Sequence, residues 1–566
     1  MDRKNPQTGL HISLLGMGLY RLLRKRLHTR YVTAALATTV FLISYAVLSG
    51  NGVSTQRAVG MCLIYLFADV TGYAYDMLNA LGIVVLVLLW ENPFLLSYSG
   101  FVFSVMAVIA IGVGANVLLE WEHSWKRRQQ AGEETIKKTF FSRQKEGILV
   151  SFAIQLFTIP LVAYSYYEIP VYAMLINLFV LAVVNGLLGL TVLGVLVGMA
   201  FLPAGSVLFA PCGWMLDSYR FLCEVSLKIP GAQRITGKPA HMRIFWYYLG
   251  LGVFLLAIYA CARRNEKHKD CRETADLCVS RRKKRLQGIV FSCFVAFLLL
   301  FLLFPQKKSF EIDFLDVGQG DGIYLCTGGG TSMFIDGGST DVKQVGKYRI
   351  LPFLKAKGVS EISYWFVSHT DTDHVSGLKE VLVSGYRVEY LVFAKAVEKE
   401  AKTKELAELA RSHGTKVLYM QAGDTVRSKR AAMRCLYPKA SDKAEDVNDL
   451  CLVLQFEEGD IRALFGGDIS TDVEEQLSRR EKWDKVLIFK ADHHGSRYAN
   501  AEALLKCIRP EITVASAGKD NRYGHPSPDA VQRIKESGSR FFCTIEGGRI
   551  RVRVIENKLV CETYVK

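Results

Sequence analysis

The sequence predicts a polytopic α-helical membrane domain over residues 1–305, followed by a soluble α/β sandwich over residues 306–566. Two observations predict it. Half of the 566 residues are apolar while 22% are charged, a pairing that a uniform soluble chain rarely shows. The apolar residues are also concentrated: long runs recur from residue 31 to 304, and the remainder reads as an ordinary charged globular domain.

A spanning helix needs about 20 mostly apolar residues, and about nine stretches approach that test. The first four fall near 32–50, 57–74, 77–91 and 97–119; the next four near 147–166, 170–187, 189–210 and 244–262; the last is 288–304. Several carry glycine or polar residues, Asp69, Asp76 and Asn79 among them. Such groups are tolerated at membrane depth where they face protein or a water-filled path. The N-terminal stretch has basic and apolar residues but no small-residue cleavage site, so it is not read as a removable signal peptide.

The net charge of +16 is read first as a positive-inside excess, with nucleic-acid contact as the alternative. The densest basic stretches, Arg21 to Arg30, Lys126 to Lys145 and Arg263 to Arg285, all border apolar spans. Four crossings separate each from the next, which puts all three in the cytoplasm. The final span, GIVFSCFVAFLLLFLLF, then carries the soluble domain to the exterior. A long external loop before 244–262 carries Arg220, Lys228, Arg234, Lys238 and Arg243, read equally as the start of a charge-compensated path and as a structured exterior loop. The thirteen cysteines include no C-x-x-C pair, and the six of the soluble domain are permitted a disulfide if that domain is external.

From Phe310 the pattern changes. FEIDFLDV, GIYLCT and TSMFIDGG read as strands bounded by glycines, 396–412 and 471–480 as helices, and CLVLQFEEGDIRALFGGD as a hairpin turning at Glu457 to Asp460. Strands and helices alternate to the end, the pattern of an α/β sandwich.

The densest chemistry follows the strand EISYWFV. His369, Asp371, Asp373 and His374 place four potential metal ligands within six residues, at a strand end where side chains can converge. The bland alternative is a solvated acidic loop. Asp468 closes the strand ALFGGD, His493 and His494 follow the strand KVLIFKA, and His525 stands in NRYGHPSP. Five of the eleven histidines lie in these places, more clustering than scattered surface histidines show. For His525 an exposed loop histidine is an equal alternative.

H-x-D-x-D-H, a strand-end GD and HHGS, in that order, resemble the metallo-β-lactamase superfamily, which implies a four-layer αββα sandwich. The whole chain resembles the ComEC family of competence proteins more closely. FLDVGQGDGIYL, FIDGG, SHTDTDHVSGL, NDLCLVL, FGGD, HHGS and NRYGHP resemble its hydrolase domain. GLHISLLG, NPFLLSYSGFVFSVMAV and RIFWYYLG resemble its channel domain.

The resemblance implies a metal-dependent hydrolase in a bacterial cytoplasmic membrane protein that takes up DNA during natural transformation. The metal ligands it implies are His369, Asp371, Asp373, His374, Asp468 and His493 or His494, with a slight preference for His493. Catalytic roles fall to Asp373, His374 and His525: Asp373 orients the attacking water and His525 donates to a phosphate oxygen. Lys490, Arg497 and Arg522 stand near the motifs where phosphate would lie, but for each taken singly solvated surface charge is the preferred reading. The partners implied are single-stranded and double-stranded DNA, the lipid bilayer, a DNA receptor, an ATP-driven translocation protein and further copies of the chain.

Two departures shape the expectation. The superfamily usually has histidine where Asp371 stands, and Asn448 occupies a position where a further histidine often completes the first metal site. The site with Asp373, His374 and Asp468 is intact; the one built on His369 is oxygen-rich. Harder ligands favour manganese over zinc, so the expectation is two divalent sites, one tight and one loose, with Mn²⁺ preferred over Zn²⁺ or Mg²⁺. The family also usually has a soluble domain and further helices before the GLHISLLG segment, which begins here at Gly9, so the chain is expected to be an N-terminally short member. Rival readings are a membrane-anchored metallo-phosphodiesterase without transport and a channel whose hydrolase domain is inactive.

Overall fold

The computed structural model describes residues 8–129, 140–267, 274–304, 308–444, 446–556 and 558–565. The chain divides into two compact units, Met1–Phe304 and Pro305–Lys566.

The first unit is helical. Among its described residues, five helices are long and apolar enough to cross a bilayer by length and composition: Tyr31–Leu48, Ser99–Trp125, Lys145–Tyr166, His241–Arg264 and Arg282–Leu303. Met77–Glu91 and Gly186–Ala200 are apolar but shorter. Residues 130–139 of the basic stretch Lys126 to Lys145, and 268–273 of the stretch Arg263 to Arg285, lie outside the described residues.

Two expected boundaries differ. The stretches near 170–187 and 189–210 are replaced by a single helix, Ala173–Ala200, and a second one, Leu202–Lys228. Gly186 and Gly189 do not break the first; it ends at Phe201, whose backbone is extended, and Pro203 in the opening turn starts the second. The external loop expected before 244–262 is correspondingly mostly helix. Arg220 and Lys228 belong to Leu202–Lys228, and Arg243 to His241–Lys267. Arg234 lies in Gln233–Ile235, which pairs antiparallel with Glu168–Pro170. The segment is helical because its less exposed positions, Cys212, Met215, Tyr219, Leu222 and Ser226, recur every three or four residues. Tyr219 meets Phe179 edge-on at 5.8 Å between ring centroids, and a Cβ on Gly205 would lie 2.6 Å from the Gly198 Cα.

Three acidic residues of this unit are engaged. Asp69 accepts a short hydrogen bond from the Tyr20 hydroxyl, and Asp76 caps its helix by accepting from the Asn79 amide at 2.8 Å. Buried Glu122 takes Lys145 at 2.6 Å and Lys284 at 3.1 Å, tying three helices together.

The second unit is a four-layer αββα sandwich. An eight-stranded sheet runs in spatial order Lys558–Thr563, Ile550–Ile555, Glu311–Phe314, Gly322–Cys326, Ser332–Asp336, Glu361–Phe366, Arg387–Ala394, Lys416–Met420. A seven-stranded sheet runs Arg540–Cys543, Ile512–Ala515, Ile488–Lys490, Ile461–Phe465, Val453–Glu458, Ala431–Tyr437, Thr425–Ser428. Between them lies one core, with Ile312, Phe314, Leu325 and Met333 from the first sheet against Met433, Leu454, Phe456 and Phe465 from the second. Outer cores seat helices on each sheet: Leu378 and Leu406 against Trp365 and Leu391 on one side, Leu477 and Leu505 against Phe489 and Leu464 on the other. These central strands are covered on both faces, so Gly322–Cys326 and Ser332–Asp336 are buried at every position.

The expected hairpin is present, pairing Glu457 with Arg462, and Thr471–Arg480 is helical as expected. The helix expected over 396–412 begins only at Ala401, after a short 3₁₀ turn. Cys326, Cys435, Cys451, Cys507, Cys543 and Cys561 are free thiols.

Each sheet has a parallel half: Ser332–Asp336 through Lys416–Met420 in one, Ile461–Phe465 through Arg540–Cys543 in the other. In parallel sheets the carboxyl ends of neighbouring strands point the same way, and their exit loops gather at one edge.

Candidate metal centre

Five strand exits supply the site. Ser332–Asp336 ends in Asp336, Glu361–Phe366 leads into Ser368 to His374, and Ile461–Phe465 leads through two glycines to Asp468. Ile488–Lys490 opens into Asp492–Gly495, and Ile512–Ala515 precedes the loop bearing His525. Glycine permits the close approaches. Gly467, at φ +69, has room for no Cβ, because one would sit 2.8 Å from the Ser368 Cβ. A Cβ on Gly338 would collide at 2.5 Å with the backbone of Thr372, Asp373 and His374.

The glycine-rich motifs FLDVGQGDG and FIDGG therefore form a cradle for the ligand loop. The Asp321 amide donates to the Asp373 carbonyl at 3.1 Å, and the Gly338 amide donates to the Asp321 carbonyl at 3.0 Å.

At the centre stand Asp468, His374 and His494, all buried, with Asp373 beside them. The Asp468 Oδ2 lies 3.4 Å from His374 Nε2 and 3.5 Å from His494 Nε2; His494 Nε2 is also 3.6 Å from Asp373 Oδ2. His374 Nε2, His494 Nε2 and Asp468 Oδ1 have no hydrogen-bond partner despite full burial. Buried polar atoms are nearly always partnered, so the two orphaned imidazole nitrogens, each beside the Asp468 carboxylate, fit a divalent cation. Two imidazoles and two carboxylates are a donor set that such a cation takes. Asp321, His374, Asp468 and His494 together form a group able to hold a metal ion.

The sphere behind these groups is ordered. His374 Nδ1 is 3.0 Å from Asp336 Oδ2, which leaves Nε2 turned toward Asp468. Ser368 donates to the same Asp336 carboxylate through its amide at 2.8 Å and its hydroxyl at 2.9 Å. His494 Nδ1 faces the Ser516 carbonyl at 3.0 Å, which assigns its Nε2 to the cluster. His493 and His494 both adopt left-handed backbone, at φ 49° and 54°, a conformation non-glycine residues hold at a cost and mostly at functional sites.

The predicted residues thus divide. Asp373, His374, Asp468 and His494 converge. His493 is half-buried at the rim, its Nε2 3.8 Å from Asp468 Oδ2, so the geometry favours its neighbour over the slight sequence preference. His369 is buried, its ring centroid 4.0 Å from that of His374. Asp371 does not join them: its Oδ1 is engaged by Lys402 at 2.9 Å and its Oδ2 is 4.0 Å from His369 Nε2. The charge of an exposed lysine draws this carboxylate outward. His525 stands with its ring centroid 5.6 Å from that of His493, its Nδ1 buried and without a partner. Asn448 lies in a short 3₁₀ turn, where its amide donates to Asp446 at 3.0 Å.

Lys490, weighed from sequence as solvated surface charge or a phosphate contact, is neither. It is 1% exposed, and its ammonium donates to Asp321 Oδ2 at 2.9 Å and to the Ala491 carbonyl at 3.1 Å. Sequence reasoning also left Asp321 and Asp336 unassigned. The signal for both was present in the strand-bounding G-D-G and I-D-G-G patterns, where an acidic residue sits between a buried strand and a glycine turn.

Electrostatics follow the geometry. Burial alone would raise the Asp468 carboxyl, but His494 and then His374 hold it far below the ordinary carboxylate value. Asp373 is lowered to about 2 against its partial burial, chiefly by the His494 ring. His374 is raised against complete burial by Asp468 and Asp336. His525 is lowered to about 4 by burial and by His494 and His493, so at neutral pH its ring is uncharged.

A family model described as Competence protein matches residues 8–260. Over 564 residues the chain is 25% identical to "ComE operon protein 3" of Bacillus subtilis (strain 168), covering 96% of this chain and 67% of that protein. The chain is thus similar to competence proteins over nearly its whole length. A further relative is "Recombination protein 2" of Haemophilus influenzae, 24% identical over 98% of this chain and 68% of that one. The metallo-beta-lactamase fold protein YhfI from Bacillus subtilis aligns with 43% of this chain and 100% of its own length, at TM-score 0.31 and 11% identity. These matches support a competence role, and the chain's long apolar helices are those expected of a membrane protein.

Proposed function

We propose that this protein imports DNA across the bacterial cytoplasmic membrane during natural transformation, and that its unit Pro305–Lys566 is an external, metal-dependent nuclease that degrades the strand not imported. The observation that carries the reading is the convergence of unpaired His374 Nε2 and His494 Nε2 on the Asp468 carboxylate, with Asp373 alongside, in a chain similar to competence proteins. A divalent cation held by these four residues would lower the pKa of a water and stabilise charge on a phosphodiester oxygen. Mn²⁺ suits a set half carboxylate, with Zn²⁺ and Mg²⁺ as alternatives.

The chain's own groups do the rest. Asp336 and Ser368 fix the tautomer and direction of His374. Asp373, ionised at any pH above about 2, offers a carboxylate to align an attacking water. His525, uncharged at neutral pH, presents a ring nitrogen at the rim, where it can hydrogen-bond a non-bridging phosphate oxygen. A second, looser cation would draw on His369 and Asp371, and Lys402 competes with it for Asp371. The external position of the hydrolase unit follows from the cytoplasmic reading of the basic stretches. The partners of this reading are duplex and single-stranded DNA, the bilayer, a DNA receptor, an ATP-driven translocation protein and other copies of the chain.

The test is uptake of strand-labelled duplex by a transformable bacterium whose own competence channel is deleted and replaced by this chain. Wild type should yield transformants and release label from one strand as nucleotides; Asp468→Asn should lose the release. Equal release from both would contradict the nuclease role, and absence of transformants with the wild type would contradict import.

A further inference from the structure

A row of planar groups leads away from the metal centre. The His525 ring centroid lies 6.4 Å from that of His494. Tyr523 stacks on His525 at 5.8 Å with 27° between planes, and the Arg522 guanidinium carbon sits 4.8 Å from the Tyr523 ring centroid. The first member is in the centre and the last is in solvent. Tyr523 is 50% exposed, so a large part of an aromatic ring faces water at the edge of the candidate catalytic site.

The row is held firmly. Asn521 clamps the loop from inside, its Oδ1 accepting from the His525 amide at 3.0 Å and its Nδ2 donating to the His525 carbonyl at 2.6 Å and the Gly518 carbonyl at 2.9 Å. Beyond it, the Ser527 amide donates to the Gly495 carbonyl at 2.8 Å, fastening the loop to the turn that carries His494. Gly495, at φ +82, allows that contact, since a Cβ there would lie 2.7 Å from the Pro526 Cβ. A tyrosine ring fixed by its backbone, half in water and one ring removed from the centre, loses little freedom on binding a flat partner.

We propose that Tyr523, with Arg522 beside it, is a stacking platform that receives an unstacked nucleobase next to the phosphodiester being cut, and so selects single-stranded nucleic acid. The proposal rests on the nuclease reading above and deepens it. Every base has a π-face, which makes such a platform indifferent to sequence, and a base within a duplex has that face covered. Arg522, whose Nη2 donates to the Tyr523 hydroxyl at 2.6 Å, supplies a second planar group and a positive charge for the adjoining phosphate.

The experiment uses the full-length protein in lipid nanodiscs with Mn²⁺, and two oligonucleotides of equal length. One is ordinary single-stranded DNA; the other has the same phosphates but abasic sugars throughout. Tyr523→Ala should raise KM for the base-bearing strand about ten-fold more than for the abasic strand. Tyr523→Phe and Tyr523→Trp, which keep a ring, should restore the wild-type ratio of the two KM values. An equal change on both strands, or none on either, overturns the platform while leaving the nuclease in place. If wild type cleaves neither strand with Mn²⁺, Mg²⁺ or Zn²⁺, the nuclease reading falls and the platform falls with it.

Discussion

Lys490 Nζ lies 2.9 Å from Asp321 Oδ2, and both side chains are almost wholly shielded from water. The pair joins the two sheets beside the metal centre, since Asp321 precedes Gly322–Cys326 and Lys490 ends Ile488–Lys490. Burial alone would raise the Asp321 carboxyl; the Lys490 ammonium, followed by His494, holds it below its ordinary value. Breaking such a pair leaves a charge buried without a partner, at about 3–5 kcal/mol. Lys490→Met should therefore lower the melting temperature of the hydrolase unit by roughly 10 °C, read by thiol-dye melting of the full-length protein. Lys490→Met combined with Asp321→Asn should recover at least half of the loss. A double variant no more stable than the single one would contradict the pairing.

The two adjacent histidines should behave differently. His494→Ala removes a converging donor and should weaken Mn²⁺ binding by about 100-fold or more. His493 stands at the rim, so His493→Ala should cost under about ten-fold. Electron paramagnetic resonance titration of free Mn²⁺ against the full-length protein measures both, and the reverse ranking would sink the assignment.

In the metal-free protein, pH should act on the cluster from both sides. His374 and His494 titrate above the ordinary histidine value of 6.5, because Asp468 foremost outweighs the effect of burial. A histidine raised on folding stabilises fully below its unfolded pKa and loses that contribution as pH climbs through the folded value. Asp373, lowered to about 2, does the opposite: its contribution is full above the ordinary carboxylate range and is lost as pH falls toward 2. The stabilisation from these three groups should thus be fullest between about pH 4 and 6.5. Metal requires neutral imidazole, so Mn²⁺ affinity should rise above pH 6.5 with release of protons. Calorimetry in two buffers of different ionisation enthalpy measures that release; pH-independent binding without it would contradict the cluster.

Lys402 and Asp371 are both exposed, and such pairs are worth about 0–1 kcal/mol. Lys402→Ala should leave the melting temperature within about 3 °C of wild type. It should also free Asp371, raising occupancy by a second Mn²⁺ at a fixed metal concentration. Metal analysis of the equilibrated protein checks this, and an unchanged second-site occupancy would show that Lys402 does not compete.

The sequence carried the sandwich and most of the centre because its clues are local. His369 to His374 are adjacent in the chain, and strand, glycine and acidic residue recur together at each exit. Asp336 was harder to assign, because it reaches His374 across 38 residues and only the folded sheet aligns them. Lys490 was misread for the same reason: its neighbours in sequence are ligand-bearing, but its strand is buried at every position and turns it toward Asp321. In the membrane unit, apolar sequence is continuous through residues 173–200, so no local signal separates one helix from two before Pro203.

The most direct measurement is cleavage of single- and double-stranded DNA by the full-length protein in nanodiscs, with Mn²⁺, Mg²⁺ and Zn²⁺ in turn, beside Asp373→Ala. Metal-dependent cleavage, strongest with Mn²⁺ and abolished by the substitution, is the predicted result. Equal cleavage by Asp373→Ala, or none with any metal from protein whose hydrolase unit melts normally, would contradict the assignment of a nuclease centre to Asp373, His374, Asp468 and His494.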